Sequence, residues 1–150
     1  MYTLNDLERI KQVLVPLKET ADRERQAIWG LTGYIDTPHI DAYNKVCVEK
    51  ARILKTLKEQ NLLPYSNVEV ISKVLMVKFK TAKSAQVCEY NDEQYQCRFA
   101  PLKLSKSGKI VRKWAKYWLK LLPNGSVDVP WQNEVKEIWP EYFIIRTVEG

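Results

Sequence analysis

The sequence has little of what catalytic sites are usually built from. It contains one histidine, three cysteines and five glycines in 150 residues. The single His39 gives no pattern that places a general base beside a serine or cysteine. The segment Ser105-Lys106-Ser107-Gly108-Lys109 has Lys103 and Ile110 where a Walker loop needs glycine and Ser/Thr. We therefore expect neither nucleotide hydrolysis nor a bound cofactor. We also expect that the protein is not an enzyme.

Long apolar runs and dense cysteines are also absent. No window approaches 18 uncharged apolar residues, and Met1 to Asp6 have neither the charged nor the apolar part of a signal peptide. Cys47, Cys88 and Cys97 are odd in number and widely spaced, unlike a disulfide framework. We expect a cytoplasmic protein that does not engage a membrane.

Metal sites find weak support in the spacing of ligands. His39 and the three cysteines could supply four zinc ligands, but no pair has the close spacing of structural zinc sites. Glu134-Val135-Lys136 matches half of a metal-dependent nuclease site, yet the nearest upstream acid, Asp128, is too close for an adjacent strand. A nuclease stays a minor alternative, and we expect no bound metal.

The most informative absence is that of acidic residues from residues 94 to 127, here called the basic segment. It contains eight Lys/Arg residues and no Asp or Glu. Such a segment attracts polyanions, and aromatic rings within it can stack on bases. The candidate nucleic-acid-binding residues are Arg98, Lys103, Lys106, Lys109, Arg112, Lys113, Trp114, Lys116, Tyr117, Trp118 and Lys120.

The uneven charge predicts the class of partner. Residues 67 to 127 have twelve Lys/Arg against four Asp/Glu, a net +8, whereas residues 1 to 66 carry +1 and residues 128 to 150 carry −3. No zinc-finger, RNP or basic-zipper pattern accompanies the charge. We expect an accessory or regulatory protein that binds the backbone of DNA or RNA with limited base reading. The alternative is an interaction adaptor whose basic segment meets an acidic protein.

The first 66 residues predict an antiparallel helical hairpin. Thr3 and Asp6 form an N-capping pattern, and apolar residues recur at helical spacing as far as Ile28, with a kink or break expected at Pro16. Thr37 and Pro38 predict the N-cap and first residue of a second helix that runs to about Asn61. This hairpin is the expected dimerisation or docking arm.

Residues 67 to 150 predict a basic, β-rich domain, forming one cooperative unit with the hairpin. Alternation over 67–79 is typical of a strand, and a turn centred on Asp92-Glu93 would place Cys88 opposite Cys97. A short helix is expected between Pro130 and Pro140, followed by a strand over 142–148. The predicted fold class is α+β, with a mainly antiparallel sheet after the helical hairpin.

Residues 109 to 122 fit two structures. As a helix, the bases and the tryptophans occupy opposite arcs, which buries both rings. As a strand, one face would expose a ladder of Arg112, Trp114, Lys116, Trp118 and Lys120. The turn signals at Ser107-Gly108 and Pro123-Asn124-Gly125 favour the strand.

Overall fold

The computed structural model describes residues 1–144, and the chain divides into two compact units, Met1–Pro64 and Tyr65–Gly150. The elements are α1 (Leu4–Ile28), α2 (Pro38–Glu59), α3 (Asn67–Lys78), β1 (Val87–Tyr90), β2 (Glu93–Leu104), β3 (Val111–Leu121), α4 (Val129–Ile138) and a 3-10 turn (Pro140–Phe143). The predicted α+β class is confirmed: two N-terminal helices precede an antiparallel sheet of order β1-β2-β3 and a short C-terminal helix.

Helix α1 begins at the capping box that the sequence predicts. The backbone N–H of Thr3 donates to Asp6 Oδ2 at 2.8 Å, and the N–H of Asp6 donates to Thr3 Oγ1 at 3.2 Å. The helix continues through Pro16, so the predicted break does not occur. Its apolar face packs on α2 around a core of Leu7, Ile10, Ile53 and Leu57. Burial of these side chains holds the two helices together.

Helix α2 begins where the sequence predicts, with Thr37 as its N-cap and Pro38 as its first residue. Thr37 makes no side-chain capping bond, and its hydroxyl donates to Asp41 Oδ1 at 3.2 Å instead. The carboxylate of Glu24, in α1, accepts from the N–H groups of His39 at 3.2 Å and Ile40 at 3.0 Å. A carboxylate at a helix N-terminus satisfies open donors and opposes the positive end of the dipole. The cap therefore also ties α2 to α1.

The predicted strand over 67–79 is wrong, because these residues form helix α3. The Ser66 N–H donates to Glu69 Oε1 at 3.1 Å, and the Glu69 N–H donates to Ser66 Oγ at 3.3 Å. This capping box starts the helix, and Val68, Ser72 and Leu75 then bury one helical face. Both alternating sets of residues in this segment contain apolar side chains, so the alternation does not distinguish a strand from a helix.

The predicted register of the first β-hairpin is also wrong. Cys88 pairs with Tyr95 rather than Cys97, because the turn centre is Asn91-Asp92, one residue earlier than expected. Asn91 has φ of 50° and Asp92 has φ of 63°. A two-residue type I′ turn needs positive φ at both central residues, which Asn and Asp tolerate better than Glu. Backbone conformation therefore decides the register.

The core of the second unit lies where α3 and α4 pack on the sheet. Trp118 and Tyr95 are its largest fully buried side chains, and Leu75 and Val135 reach them from the helices. The indole N–H of Trp131 donates to the carbonyl of Trp118 at 2.9 Å, which attaches α4 to β3. Of the strand predicted over 142–148, the first two residues lie in the 3-10 turn and residues 145–148 lie outside the described residues.

The observed turn makes a prediction that distinguishes the two registers. Replacing Asp92 with glycine should raise the free energy of unfolding by about 0.5–1 kcal/mol, because glycine has no steric penalty at positive φ. Replacing Glu93 with glycine should lower it by about 0.5–1 kcal/mol, because Glu93 lies within a strand. Urea denaturation of both variants provides the measurement. Stabilisation by both changes would contradict the observed turn.

Candidate nucleic-acid interface

Strands β2 and β3 extend well beyond β1. They pair from Gln94↔Leu121 to Leu104↔Val111, whereas β1 pairs only with the first four residues of β2. No residue from Pro101 to Trp114 is buried. Residues 101–114, here called the ribbon, are thus a two-stranded extension without a core of its own. It is held by ladder hydrogen bonds and by its attachment to the packed half of the same strands.

A compact loop closes the ribbon. The Ser105 N–H donates to the carbonyl of Ile110 at 2.8 Å, and the Gly108 N–H donates to the carbonyl of Ser105 at 2.9 Å. Gly108 has φ of +73°, which a residue with a Cβ would adopt only at a cost. The loop presents Lys106 and Lys109 as exposed side chains. This turn is the one indicated by Ser107-Gly108.

Five of the eight Lys/Arg residues predicted to bind nucleic acid lie on the ribbon, and all five are exposed: Lys103, Lys106, Lys109, Arg112 and Lys113. The ribbon has no acidic residue. Lys103 and Lys113 are direct cross-strand partners at a point where the register shifts. Like charges in this position repel one another, and a phosphate placed between them would relieve the repulsion.

The predicted stacking residues separate in the structure. Trp114 is 52% exposed on the ribbon, where it pairs with Pro101. Trp118 is fully buried and packs on Phe79, with ring centroids 5.9 Å apart. The predicted exposed ladder is therefore wrong at Trp118, because α3 covers this part of the strand. Tyr117 is half-buried and contacts the residues that follow α4.

The other three predicted Lys/Arg residues already have partners in the protein. Lys116 Nζ donates to the carbonyls of Phe79 at 2.9 Å and Lys80 at 3.2 Å, just after α3. A lysine at this position stabilises the negative end of the helix dipole. The Arg98 Nε–H donates to Gln96 Oε1 at 2.8 Å, and Lys120 Nζ lies 3.9 Å from Glu93 Oε1. Lys116 in particular has a structural role.

Sequence reasoning missed two exposed apolar side chains beside these bases. Phe99 is 37% exposed, and its partner in the ladder is Lys116. Ile110 is 66% exposed in the loop of the ribbon. Phe99 follows the buried Cys97 in the same alternating set, so periodicity alone does not distinguish it from a core residue. The signal that it lies outside the core is the length of β2, which only the strand pairing reveals.

The other candidate sites are dispersed. His39 and Cys47 belong to the first unit, whereas Cys88 and Cys97 are buried in the second. Burial raises the pKa of the Cys97 thiol, which keeps it protonated at neutral pH. Residues 1–144 contain no group of three or more metal-ligating side chains. Glu134 and Lys136 lie two residues apart on α4, a spacing that puts them on different faces.

Among the described residues, no helix has the length and apolar character needed to cross a membrane. Comparison with protein families, curated proteins and solved structures finds no match for the chain.

The role of Lys116 leads to a testable prediction. Changing Lys116 to methionine should lower the free energy of unfolding by about 1–2 kcal/mol, because two carbonyls lose a charged donor. The matched change Lys113→Met, on the ribbon, should leave stability nearly unchanged. Urea denaturation followed by tryptophan emission tests both variants. Equal stability of the two would show that Lys116 is not needed to hold α3.

Proposed function

We propose that this protein is a non-enzymatic nucleic-acid-binding protein that uses the ribbon as its contact surface. The observation that carries the proposal is the concentration of five exposed Lys/Arg residues, without an acidic residue, on a ribbon that has no buried residue. A two-stranded β-ribbon is narrow enough to enter the major groove of a duplex. Lys and Arg side chains on it would neutralise phosphates and release counterions.

The composition of the ribbon favours contact with the backbone over reading of base sequence. Three of its exposed Lys/Arg residues are on β-strands and two are in the closing loop. A bound nucleic acid, duplex or single-stranded, would therefore meet positive charge along the whole ribbon. Trp114 adds one ring that can stack on an exposed base. An accessory or regulatory role on DNA or RNA fits this surface. Because all three cysteines are free thiols, we place this role in the cytoplasm.

A second candidate function, that of an interaction adaptor, is favoured by the segment between α1 and α2. Trp29 is 89% exposed, Leu31 61% and Tyr34 96%. Large exposed aromatic side chains are enriched at protein interfaces. The helical hairpin would then dock a protein partner or a second copy of the chain, and the ribbon would meet an acidic protein.

The ribbon makes a quantitative prediction about salt. In the variant Lys109→Ala/Arg112→Ala/Lys113→Ala, the slope of log K against log salt should flatten by about 2–3, since each phosphate contact contributes about 0.7–0.9. The control variant Lys18→Ala/Arg23→Ala/Lys45→Ala removes the same charge from exposed positions of the helical hairpin and should change the slope little. Fluorescence anisotropy with labelled DNA and RNA gives both slopes. Equal flattening in the two variants would mean that net charge, and not the ribbon, determines binding.

Stacking on Trp114 can be tested separately from charge. Replacing Trp114 with alanine should weaken single-strand binding by about 1–3 kcal/mol, the usual contribution of one stacked base. The control Trp29→Ala removes an exposed tryptophan from the helical hairpin. Anisotropy titrations at one salt concentration compare the two variants. A larger loss in the control would show that the helical hairpin, and not the ribbon, supplies the stacking residue.

A further inference from the structure

The second unit contains a cavity that the ribbon does not use. Its volume is about 230 Å³. It is lined by one face of α3, which includes Ser72 and Lys73, by Trp118 of β3, and by Trp139 and Tyr142 after α4. All of these residues belong to one compact unit.

Two of the residues that line this cavity each carry a buried polar atom that lacks a hydrogen-bond partner among residues 1–144. These atoms are the hydroxyl of Ser72, whose side chain belongs to a residue only 7% exposed, and the indole N–H of the fully buried Trp118. Folded proteins rarely leave such groups unpaired, because each loses its bonds to water without replacement. A ligand that offers an acceptor to the indole N–H and a polar atom to the hydroxyl would satisfy both.

The aromatic walls indicate the shape of such a ligand. Trp139 and Tyr142 are stacked, with ring centroids 5.9 Å apart and an interplanar angle of 7°. Tyr117 lies 5.9 Å from Tyr142 and also lines the cavity. Burial raises the pKa of both tyrosines, so their phenols stay neutral at physiological pH. Flat, neutral walls favour a flat ring.

The size and charge of the cavity further limit the class of ligand that it could bind. A dry cavity of about 150 Å³ can hold benzene, so the volume here has room for one larger heteroaromatic ring. Lys73 and Lys116 line the cavity together with one acid, Glu69, whose Oε1 accepts from the Ser66 N–H. A phosphate attached to the bound ring would therefore meet a net positive surface.

We propose that this cavity binds a single unstacked nucleobase. The indole N–H of Trp118 donates to an acceptor on the edge of the base, and the Ser72 hydroxyl bonds to the same edge. Trp114 of the ribbon lies four residues before Trp118 on the same strand face, roughly 13 Å away at about 3.3 Å per residue. When the bound base belongs to a nucleic-acid strand held by the ribbon, the inference rests on the proposed function. A free nucleotide would offer the same ring and the same polar edge to the cavity.

The test compares strands with and without bases. Ser72→Ala removes the buried hydroxyl, and Ser84→Ala is a control at an exposed position of the same unit. The probes are ten-residue single strands of dA, dC or dT, an abasic strand of equal length, and the four free ribonucleoside monophosphates. We expect Ser72→Ala to raise the Kd for at least one base-carrying strand about five-fold and to leave the Kd for the abasic strand unchanged.

A stability measurement separates a binding role of Ser72 from a structural one. Because its hydroxyl has no hydrogen-bond partner among residues 1–144, Ser72→Ala should keep or raise the Tm without ligand. A lower Tm would show that the hydroxyl supports the fold, and would overturn the inference. So would equal Kd values of the wild-type protein for abasic and base-carrying strands.

The remaining outcomes distinguish the cavity from the ribbon. If the triple ribbon variant weakens every strand while Ser72→Ala weakens none, the ribbon function stands and the cavity inference fails. If no strand binds, the proposed function fails, and the monophosphates then test the cavity alone. Monophosphate binding that is weakened by Ser72→Ala would support the cavity with a free nucleotide as its ligand. Absence of monophosphate binding as well would overturn it.

Discussion

The packing of α3 on β3 around Trp118 is the contact on which the rest of the second unit depends. Trp118 lies against Phe79 at the end of α3, and its carbonyl accepts the indole N–H of Trp131 in α4. Lys116, two residues earlier, holds the carbonyls that follow α3. One short stretch of β3 thus attaches both helices to the sheet. Because this packing ends near Ala115, the remainder of the hairpin extends as a ribbon without a core.

The division of β3 explains why similar residues in one strand have different roles. Lys113 and Trp114 lie where none of the described helices covers the sheet, and both are exposed. Lys116 and Trp118 lie where α3 covers it, so one is held by backbone carbonyls and the other is buried. Composition alone does not distinguish these residues, since lysines and tryptophans occur in both parts of the strand. Tertiary packing distinguishes them, and it limits the proposed contact surface to the ribbon.

The sequence predicted features that depend on local chemistry and missed those that depend on packing. The capping box at Thr3 and the helical spacing after it were sufficient for α1, and turn residues on both sides favoured β3 as a strand. Helix α3 replaces the predicted strand: Ser66 and Glu69 form the same kind of capping box as Thr3 and Asp6, and alternation of apolar residues does not exclude a helix. The burial of Trp118 could not be predicted, because strand periodicity does not show which part of a face a helix covers.

The two features proposed to bind nucleic acid both impose a cost on the free protein. Lys103 faces Lys113 across the ribbon, and the Trp118 indole N–H is buried without a partner among the described residues. A local penalty that persists in a folded protein is expected where function requires it. A phosphate beside the lysines and a base edge beside the indole would relieve both penalties at once. Since a ligand that binds only the folded state stabilises it by mass action, the same ligand would also strengthen the packing of α3 on β3.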